Sequence, residues 1–452
     1  MGEERRRFHA LVIGGGIAGL QSAIELGDQG YSVLIVEKEA SIGGKMIGLS
    51  KVFPTLDCSS CICTPRMAAA AHHPNVTIYT YTEPVEMIRT ENGRFEVTLL
   101  RKPRFVKEAD CIGCRLCEYA CPIQDTHEFE GRLGARRGIY VPFANAYPQV
   151  ALVDMDHCIL CGLCEKACPT NAIDFLQEPR TETIDAAAIV IATGYRMMAA
   201  EALTHYGGGR LRNVVDALQV ERLLAPHGPY GRVLRPSDGK VPGSIAFVQC
   251  AGSRDRIAGV PYCSRVCCMY AIKQAMLLAG SLPMVDITIY YMDIRAFGKG
   301  FEQFYQNAKA MGIEFVKGKV AKIREDAAAN PVLRLETMEG EYRVEERTHD
   351  MAVLSLALLP GWNSAGVLPV ATAADGFVAC PEPMMHPTHT SEEGIFVAGA
   401  AAGPKDIPDS IVEAGAAAME ASIYLEKLRT GGNAEGSLDL WREAPVAQEL
   451  GG

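Results

Sequence analysis

The spacing of apolar and polar positions divides the chain into strand-helix-strand blocks. Phe8–Ile13 is a mostly apolar run of the kind expected for a parallel strand buried on both faces. Residues 17–29 follow a helical period, and Ser32–Val36 returns to a strand pattern. A second block of this form is predicted further on, with a strand at Ile245–Gln249, a helix across residues 262–280 and a strand at "DITIYYMD". The runs "AAAIVIATGYR" and "EEGIFVAGAAAGPKDIPDSIVEAGAAAMEAS" predict two more buried strands. The second leads into a helix starting near Ser410. Alternation of this kind predicts an α/β protein.

The first block carries chemistry at its turn. Gly14, Gly16 and Gly19 supply G-x-G-x-x-G between strand and helix. The first glycine permits the tight turn, the second lets backbone approach a pyrophosphate, and the third lets the helix pack close. The helix N-terminus favours an anion, and Glu37, at the end of the next strand, stands where a carboxylate meets a ribose hydroxyl. Candidate dinucleotide contacts are therefore Gly14, Gly16, Ile17, Ala18, Gly19, Glu37 and Lys38. The following Gly43-Gly44-Lys45 resembles the Gly-Gly-basic element that meets FAD in two-dinucleotide-binding flavoproteins, which adds Gly44 and Lys45 and favours FAD over NAD. By the same resemblance, Ala192-Thr193-Gly194 returns to the FAD domain, adding Thr193 and Gly194. The closing segment adds Gly399, with Ala400 where the superfamily's flavin-contacting Asp would stand. Asp406 or Asp409 is the expected substitute, and Ser410 opens a helix whose dipole would face the flavin.

Between these pieces the sequence repeats itself. "CIGCRLCEYACP" and "CILCGLCEKACP" both read C-x-x-C-x-x-C-x-x-x-C-P, the two-cluster ferredoxin spacing in which the fourth cysteine serves the other cluster. This assigns Cys111, Cys114, Cys117 and Cys168 to one [4Fe–4S] cluster, and Cys158, Cys161, Cys164 and Cys121 to the other. Zinc sites would not need the doubled motif with its prolines. The unit is expected to span residues 103–178, with "PFANAYPQV" as an exposed connection between the motifs.

The second block lacks a phosphate cradle, because its turn reads Cys250-Ala251-Gly252-Ser253-Arg254-Asp255. Thiols stand there instead. Cys263 and Cys267 are one helical turn apart and Cys268 lies at the same end of the predicted helix. With Cys250 they suit a metal cluster at a helix N-terminus. Buried packing and a catalytic dithiol remain open readings.

Composition agrees with a large folded enzyme. Of 452 residues, 48% are hydrophobic and 22% charged, so the chain can bury a large core over two or three domains. A net charge of −10 argues against nonspecific nucleic-acid binding. No apolar run reaches the length of a membrane span, and a strand pattern beginning near Phe8 leaves no room for a signal peptide. The 16 cysteines in so large a chain point to metal or redox use in a reducing cytoplasm.

The long segments "FVQCAGSRD…PYCSRVCCMYAIKQA", "IYYMDIRAFGKGFEQFYQNAK", "RPSDGK", "GPKDIPDS", "SIGGKM" and "FPTLDCSSCICTPRM" closely resemble the family of heterodisulfide reductase A subunits over residues 8–425. The resemblance implies a thioredoxin-reductase-like two-dinucleotide-binding flavoprotein with an inserted two-[4Fe–4S] ferredoxin domain. It implies an electron-distributing hub, whose flavin bifurcates electrons in several members. A third [4Fe–4S] cluster follows at Cys250, Cys263, Cys267 and Cys268, with Cys61 as a fifth candidate for four places. The resemblance also puts Lys273 beside flavin N5, as the one catalytic candidate. Cys58 and Cys61 otherwise read as a redox dithiol, and Cys63 and Cys380 as ordinary buried residues.

Expected partners are B- and C-like heterodisulfide reductase subunits, an electron-donor component such as a hydrogenase or formate dehydrogenase, and ferredoxin. The expected location is the cytoplasm, at most peripheral to a membrane complex. Many members carry an extra N-terminal domain and a C-terminal ferredoxin. This chain resembles a short form whose relay clusters would come from separate subunits. The predicted division is an FAD-binding domain in three parts (1–102, 179–240 and 346–430), the ferredoxin-like insert (103–178), a degenerate nicotinamide-type βαβ domain (241–345) and a polar tail (431–452). Two competing readings are an NAD(P)H-dependent disulfide reductase using Cys58/Cys61 and a scaffold with a redox-inert flavin.

Overall fold

Along the computed structural model, which describes residues 5–338, 343–363 and 366–431, the first block folds as strand β1 (Arg7–Ile13), helix α1 (Ile17–Asp28) and strand β2 (Val33–Glu37). Helix α2 (Ser59–Ala71) and strands β3 (Val76–Thr80), β4 (Thr82–Arg89) and β5 (Phe95–Arg101) follow. The insert contains α3 (Leu116–Ala120), β6 (Gln124–Thr126), β7 (Ala135–Arg137), β8 (Ile139–Tyr140), β9 (Leu152–Val153) and α4 (Leu163–Ala167). The chain then runs through β10 (Arg180–Ile191), β11 (Tyr195–Met197), β12 (Val214–Asp216), α5 (Ala217–Leu224), β13 (Ser244–Ala251), α6 (Cys267–Ser281), β14 (Asp286–Tyr291) and α7 (Phe301–Ala310). Strands β15 (Glu314–Glu325), β16 (Pro331–Thr337), β17 (Arg343–Thr348), β18 (Met351–Leu356), β19 (Leu358–Pro360) and β20 (Ile395–Val397) precede the long helix α8 (Ile407–Gly431). The predicted polar tail lies outside the described residues, apart from Gly431 at the end of α8.

Two sheets carry the molecule. The first has the order β3-β2-β1-β10-β5-β4. Along one side of β10, β5 pairs antiparallel with residues 180–186 and β20 pairs parallel with residues 189–191, so one long strand serves two neighbours in succession. The second sheet has the order β12-β18-β13-β14-β15-β16-β17. It is parallel from β12 to β15 and antiparallel beyond.

The central strands are apolar throughout because both faces are covered. Along β1, Ala10 and Val12 join one core with Leu20 of α1 and Ala417 and Ala421 of α8, while Leu11 and Ile13 join the core of the other face. The second sheet repeats this, with Ile245 and Phe247 on one face and Ala246 and Val248 on the other. Small residues let α8 lie close on α1, where Ser22 Oγ donates to the Ala414 carbonyl at 3.0 Å.

The passages between sheets fall elsewhere than the sequence pattern suggests. Strand β12, within the predicted 179–240 segment, pairs with β18 of the second sheet, and β18 itself lies within the predicted 346–430 segment. Both crossings run through the β11–β19 ribbon, where Tyr195 pairs with Pro360 and Met197 with Leu358. Periodicity shows that a strand is buried but not which sheet it joins.

The segment 142–150 is not an exposed connection. Its Ala146 and Val150 are buried, and it docks on the first sheet's loop: Tyr147 N donates to Ser41 Oγ at 2.9 Å and Ile42 N donates to the Tyr147 carbonyl at 3.1 Å. Phe143 stacks on Phe129, and Asn145 donates to Thr64 Oγ1. Proline-rich composition marked irregular backbone, and the apolar members of the run gave it something to dock with.

Candidate cofactor and metal centres

The glycine turn after β1 has the closeness its sequence demands. A Cβ on Gly14, at φ +110°, would stand 2.4 Å from the Ala192 carbonyl oxygen, and one on Gly19 would stand 1.9 Å from the Gly14 oxygen. At Gly16, by contrast, the nearest heavy atom to such a Cβ is 3.9 Å away, so the backbone there has an open side. Helix α1 begins at Ile17 with no side-chain cap, leaving its first amides available for an anion, and Ala18 is buried in the next position. Gly43 N donates to the Gly15 carbonyl, and a Cβ on Gly44 would meet Gly16 Cα at 2.8 Å, so the Gly-Gly pair rests on this turn, with Lys45 exposed beside it.

Glu37 is buried at the end of β2 and accepts from Gly15 N at 2.7 Å and Glu39 N at 2.8 Å. Burial pushes its carboxyl up, and these two amides work against that. Lys38 reaches the Gly361 carbonyl at 3.5 Å, and a Cβ on Gly361 would strike the Thr193 oxygen at 2.3 Å. Thr193 and Gly194 thus lie beside Gly14 and Lys38, as the returning strand requires. Gly399, at φ +64°, lies against Ala18 and Ser410, to whose Cβ atoms an added Cβ would stand at 2.8 and 3.6 Å. Open backbone at Gly16, uncapped amides at Ile17 and a buried carboxylate at Glu37 fit a dinucleotide.

The start of α8 differs from the expectation. The helix begins at Ile407, and Asp406 caps it by accepting from Asp409 N at 2.9 Å. Ser410 sits inside the first turn and donates to the Asp406 carbonyl at 2.6 Å. Asp409 is bound by Arg265 at 2.6 Å. Both aspartates considered as flavin contacts are therefore engaged in holding this corner together.

In the insert, the two cysteine motifs form two cavities. One, about 350 Å³ in empty volume, is lined by Cys111, Cys114, Cys117 and Cys168. The other, about 320 Å³, is lined by Cys121, Cys158, Cys161 and Cys164. Each holds three cysteines of one motif and the last of the other. Short helices produce the exchange: Arg115 and Gly162 both take left-handed backbone at the N-caps of α3 and α4, and each helix ends by delivering Cys121 or Cys168 across. Four thiols around an apolar cavity fit a cubane.

The second sheet gathers another four. Cys267 hydrogen-bonds with Cys250, Cys263 and Cys268. That contact, against burial, brings the Cys263 thiol down to about 6 and lowers those of Cys250 and Cys268, while Cys267 itself is pushed up. Cys263 and Cys267 do not share a helix, because α6 starts at Cys267. Arg265 is left-handed at φ 60°, and the Ser264 hydroxyl bonds to Ser253 Oγ and Leu358 N, holding the preceding residues as a loop. Cys250 is turned by the register shift near the end of β13, where its own φ is 57°. Gln249, one residue earlier, is buried with neither amide atom bonded. A polar group left so calls for a partner, which fits a group bound beside these thiols.

Cys61 does not join this set. It is disulfide-bonded to Cys58, the N-cap of α2, whose sulfur also accepts from Cys61 N at 3.2 Å. One turn of helix brings these two together more directly than any long-range contact. Cys63 is fully buried, with its thiol pushed up to about 12 by burial, and Cys380 is half-buried.

Lys273 is 2% exposed, unlike an ordinary helix lysine. Its ammonium donates to the Lys51 carbonyl at 2.8 Å and to Glu221 of α5. Glu221, also buried, accepts in addition from Gln274 and from Ser50 N and Oγ. Burial would raise its carboxyl, but Lys273 and the hydrogen bonds outweigh this and lower it. Tyr195, adjoining Gly194, lies close enough to feel the Glu221 charge, and burial with that charge pushes it up to about 12. Tyr270 feels both Tyr195 and Cys267. The thiol group, the Lys273–Glu221 pair and the Gly194 turn are thus neighbours. Sequence reasoning missed Glu221, although one signal existed: it stands four residues after Ala217 and beside Val220, on the buried stripe of α5.

Comparison with known proteins places these features. A family described as 4Fe-4S dicluster domain matches residues 110–172, and one described as NAD(P)-binding Rossmann-like domain matches residues 12–53. An iron–sulfur A subunit of CoB–CoM heterodisulfide reductase from Methanopyrus kandleri, the second of two in that organism, is 47% identical over 424 residues, 92% of this chain and 64% of that protein. The A subunit of an H2:CoB-CoM heterodisulfide,ferredoxin reductase from Methanothermobacter thermautotrophicus is 42% identical over the same shares. The A subunit of a ferredoxin:CoB-CoM heterodisulfide reductase from Methanosarcina mazei is 43% identical over 94% of this chain and 53% of that protein. The chain thus spans less than two thirds of the length of these relatives. Among solved structures, thioredoxin reductase from T. acidophilum superposes with a TM-score of 0.52 at 14% identity, covering 93% of this chain and 98% of its own. The fold is therefore thioredoxin-reductase-like, with a 4Fe-4S dicluster domain inserted. Among the described residues no helix is long and apolar enough to cross a membrane.

Proposed function

The chain belongs with the A subunits of heterodisulfide reductases over the region it shares with them, and from that premise we propose that it is the FAD- and iron–sulfur-containing electron-transfer subunit of a heterodisulfide-reductase-like complex. It distributes electrons from FAD to ferredoxin-type clusters and partner subunits. The observation that carries this reading is the pair of four-cysteine cavities beside a Rossmann glycine turn, with four further thiols next to that turn. When bound, FAD supplies a carrier that takes electrons in pairs and the clusters supply carriers that take them singly.

The chain's own residues hold and tune these groups. Gly14, Gly16 and Gly19 admit the pyrophosphate to the amides of Ile17 and Ala18, and Glu37 takes the ribose. Gly44, Lys45, Thr193, Gly194, Gly399 and Ser410 frame the rest of the site. Cys250, Cys263, Cys267 and Cys268 hold a third cluster. Lys273 is the cation of the flavin pocket, kept charged and oriented by Glu221. In this reading the first sheet with α8 is the FAD domain, residues 103–178 are the ferredoxin-like insert, and the second sheet is a nicotinamide-type domain turned to metal binding. The partners are B- and C-like subunits, ferredoxin and an electron-donor component. The finer form of the proposal is bifurcation, one electron going to low-potential ferredoxin and one to a higher-potential acceptor.

One observation favours a second reading. The Cys58–Cys61 disulfide could serve an NAD(P)H-dependent disulfide reductase. The turn from Cys250 to Asp255 speaks against it, since it offers thiols where phosphate would bind. Iron, acid-labile sulfide and FAD are measured on anaerobically purified chain, which is then mixed separately with reduced ferredoxin and with NADH. The proposal expects about 12 Fe per FAD, flavin bleaching by ferredoxin and none by NADH. About 8 Fe with bleaching by NADH alone would overturn it in favour of the disulfide reductase.

A further inference from the structure

Away from the thiols and the glycine turn, the segment leading into β20 brings two histidines against α8. His386 and His389 stand one short turn apart: His386 N donates to the Glu382 carbonyl at 2.8 Å, and His389 N to the His386 carbonyl at 3.2 Å. Their rings stack with centroids 4.8 Å apart. His389 is held by a backbone bridge to Phe396 of β20 and by an edge-on contact with the Phe396 ring at 5.7 Å. Glu420 of α8 faces them, its Oε2 3.2 Å from His389 Nε2. One ligand atom from each of the three residues lies within 4.8 Å of the other two.

A further detail separates this group from an ordinary surface ion pair. His389 Nε2 is shielded from solvent, yet it makes no hydrogen bond, because its approach to Glu420 lacks the geometry of one. A buried ring nitrogen without a partner is costly. A nitrogen and a carboxylate oxygen that close, without a shared proton between them, are placed as two ligands of one cation would be.

We propose that His386, His389 and Glu420 form a binding site for a divalent transition ion of the zinc type. Two imidazoles and one carboxylate, with a fourth place left to water, are an established donor set for zinc. Bonds of about 2.1 Å at tetrahedral angles separate ligand atoms by about 3.4 Å. His389 and Glu420 already meet that spacing, and only the exposed His386 ring needs to move inward. The bound ion ties the segment before β20 to α8, the helix whose other end packs Ser410 against Gly399. The site is separate from the cysteine centres and does not depend on the electron-transfer reading.

The test uses the full chain, purified anaerobically with its iron and flavin, and zinc chloride as the probe. After equilibration and desalting, metal content is measured by mass spectrometry for wild type, His386→Ala, His389→Ala and Glu420→Gln. Wild type is expected to keep one zinc per chain more than each variant at equal iron and FAD. Each substitution should weaken zinc binding at least about tenfold, the loss that removal of even an outer-shell partner causes. Zinc should also raise the melting temperature of wild type alone. Glu420→Gln, which keeps the side-chain shape, decides the matter if an alanine variant loses iron or flavin. Equal zinc in wild type and Glu420→Gln, or none in either, overturns the proposal.

Discussion

Buried charge is the most exacting feature at the scale of single residues. Lys273 and Glu221 are both about 2% exposed at their side chains, and neither could be buried alone. The pair is fully furnished with partners: Lys51 and Glu221 receive the ammonium, and Ser50, Gln274 and Lys273 supply the carboxylate. Glu221→Gln keeps the shape and removes the counter-charge. Breaking a buried pair costs about 3–5 kcal/mol, so a loss near the lower end is expected for this isosteric change, measured as a fall in the melting temperature. Replacing both residues, as Glu221→Gln with Lys273→Met, should recover part of that loss. A single variant as stable as wild type would mean that the pair contributes nothing.

At the scale of elements, the insert illustrates how a repeat can be legible while its partners are crossed. Helices α3 and α4 have equal lengths and equivalent left-handed caps, so the two motifs fold alike. Left-handed backbone costs a non-glycine residue about 1–2 kcal/mol, and the motifs share that cost differently. The first has Gly113 and Arg115 in that conformation, the second Leu160 and Gly162. Each helix then delivers its last cysteine to the other cavity. Paired substitutions test the crossing. Cys121→Ala with Cys158→Ala strikes one cavity and should remove about 4 Fe per chain. Cys121→Ala with Cys111→Ala strikes both and should remove about 8 Fe. The reverse ranking would mean that each motif holds its own cluster.

For the whole molecule, stability should fall in mild acid through His349. Its ring joins β13 to β14 of the second sheet, with Nδ1 2.7 Å from Ser244 Oγ and Nε2 2.8 Å from Tyr290 Oη. Burial, helped by Arg347, holds it down to about 4. Between an unfolded value near 6.5 and that folded value, the unfolded chain binds a proton that the folded chain refuses. Stability from this group is therefore complete above about pH 6.5 and is lost as pH falls toward about 4, roughly 2 kcal/mol of it between pH 7 and pH 5. Thermal melting across that range should show a midpoint that falls with pH, and a shallower fall in His349→Gln. Glu221, whose carboxyl is lowered, keeps its contribution above the ordinary glutamate range and loses it only in stronger acid.

Local order made much of this protein legible from its sequence. The glycine turn, the strand runs and the doubled cysteine motif each depend on residues a few positions apart, where backbone geometry leaves few solutions. The sequence alone therefore determined the α/β class, the dinucleotide turn at Gly14–Gly19 and the presence of two ferredoxin-type motifs. Tertiary structure decided what depends on distant partners. It set β12 and β18 in the second sheet, docked residues 142–150 on Ser41 and Ile42, and started α6 at Cys267 because Ser264 is tied to Leu358. It also paired Lys273 with Glu221 and Arg265 with Asp409, and brought His386 and His389 to Glu420. Such contacts join residues far apart along the chain. No local propensity selects them; they form only when two packed sheets and a long helix remove the alternatives.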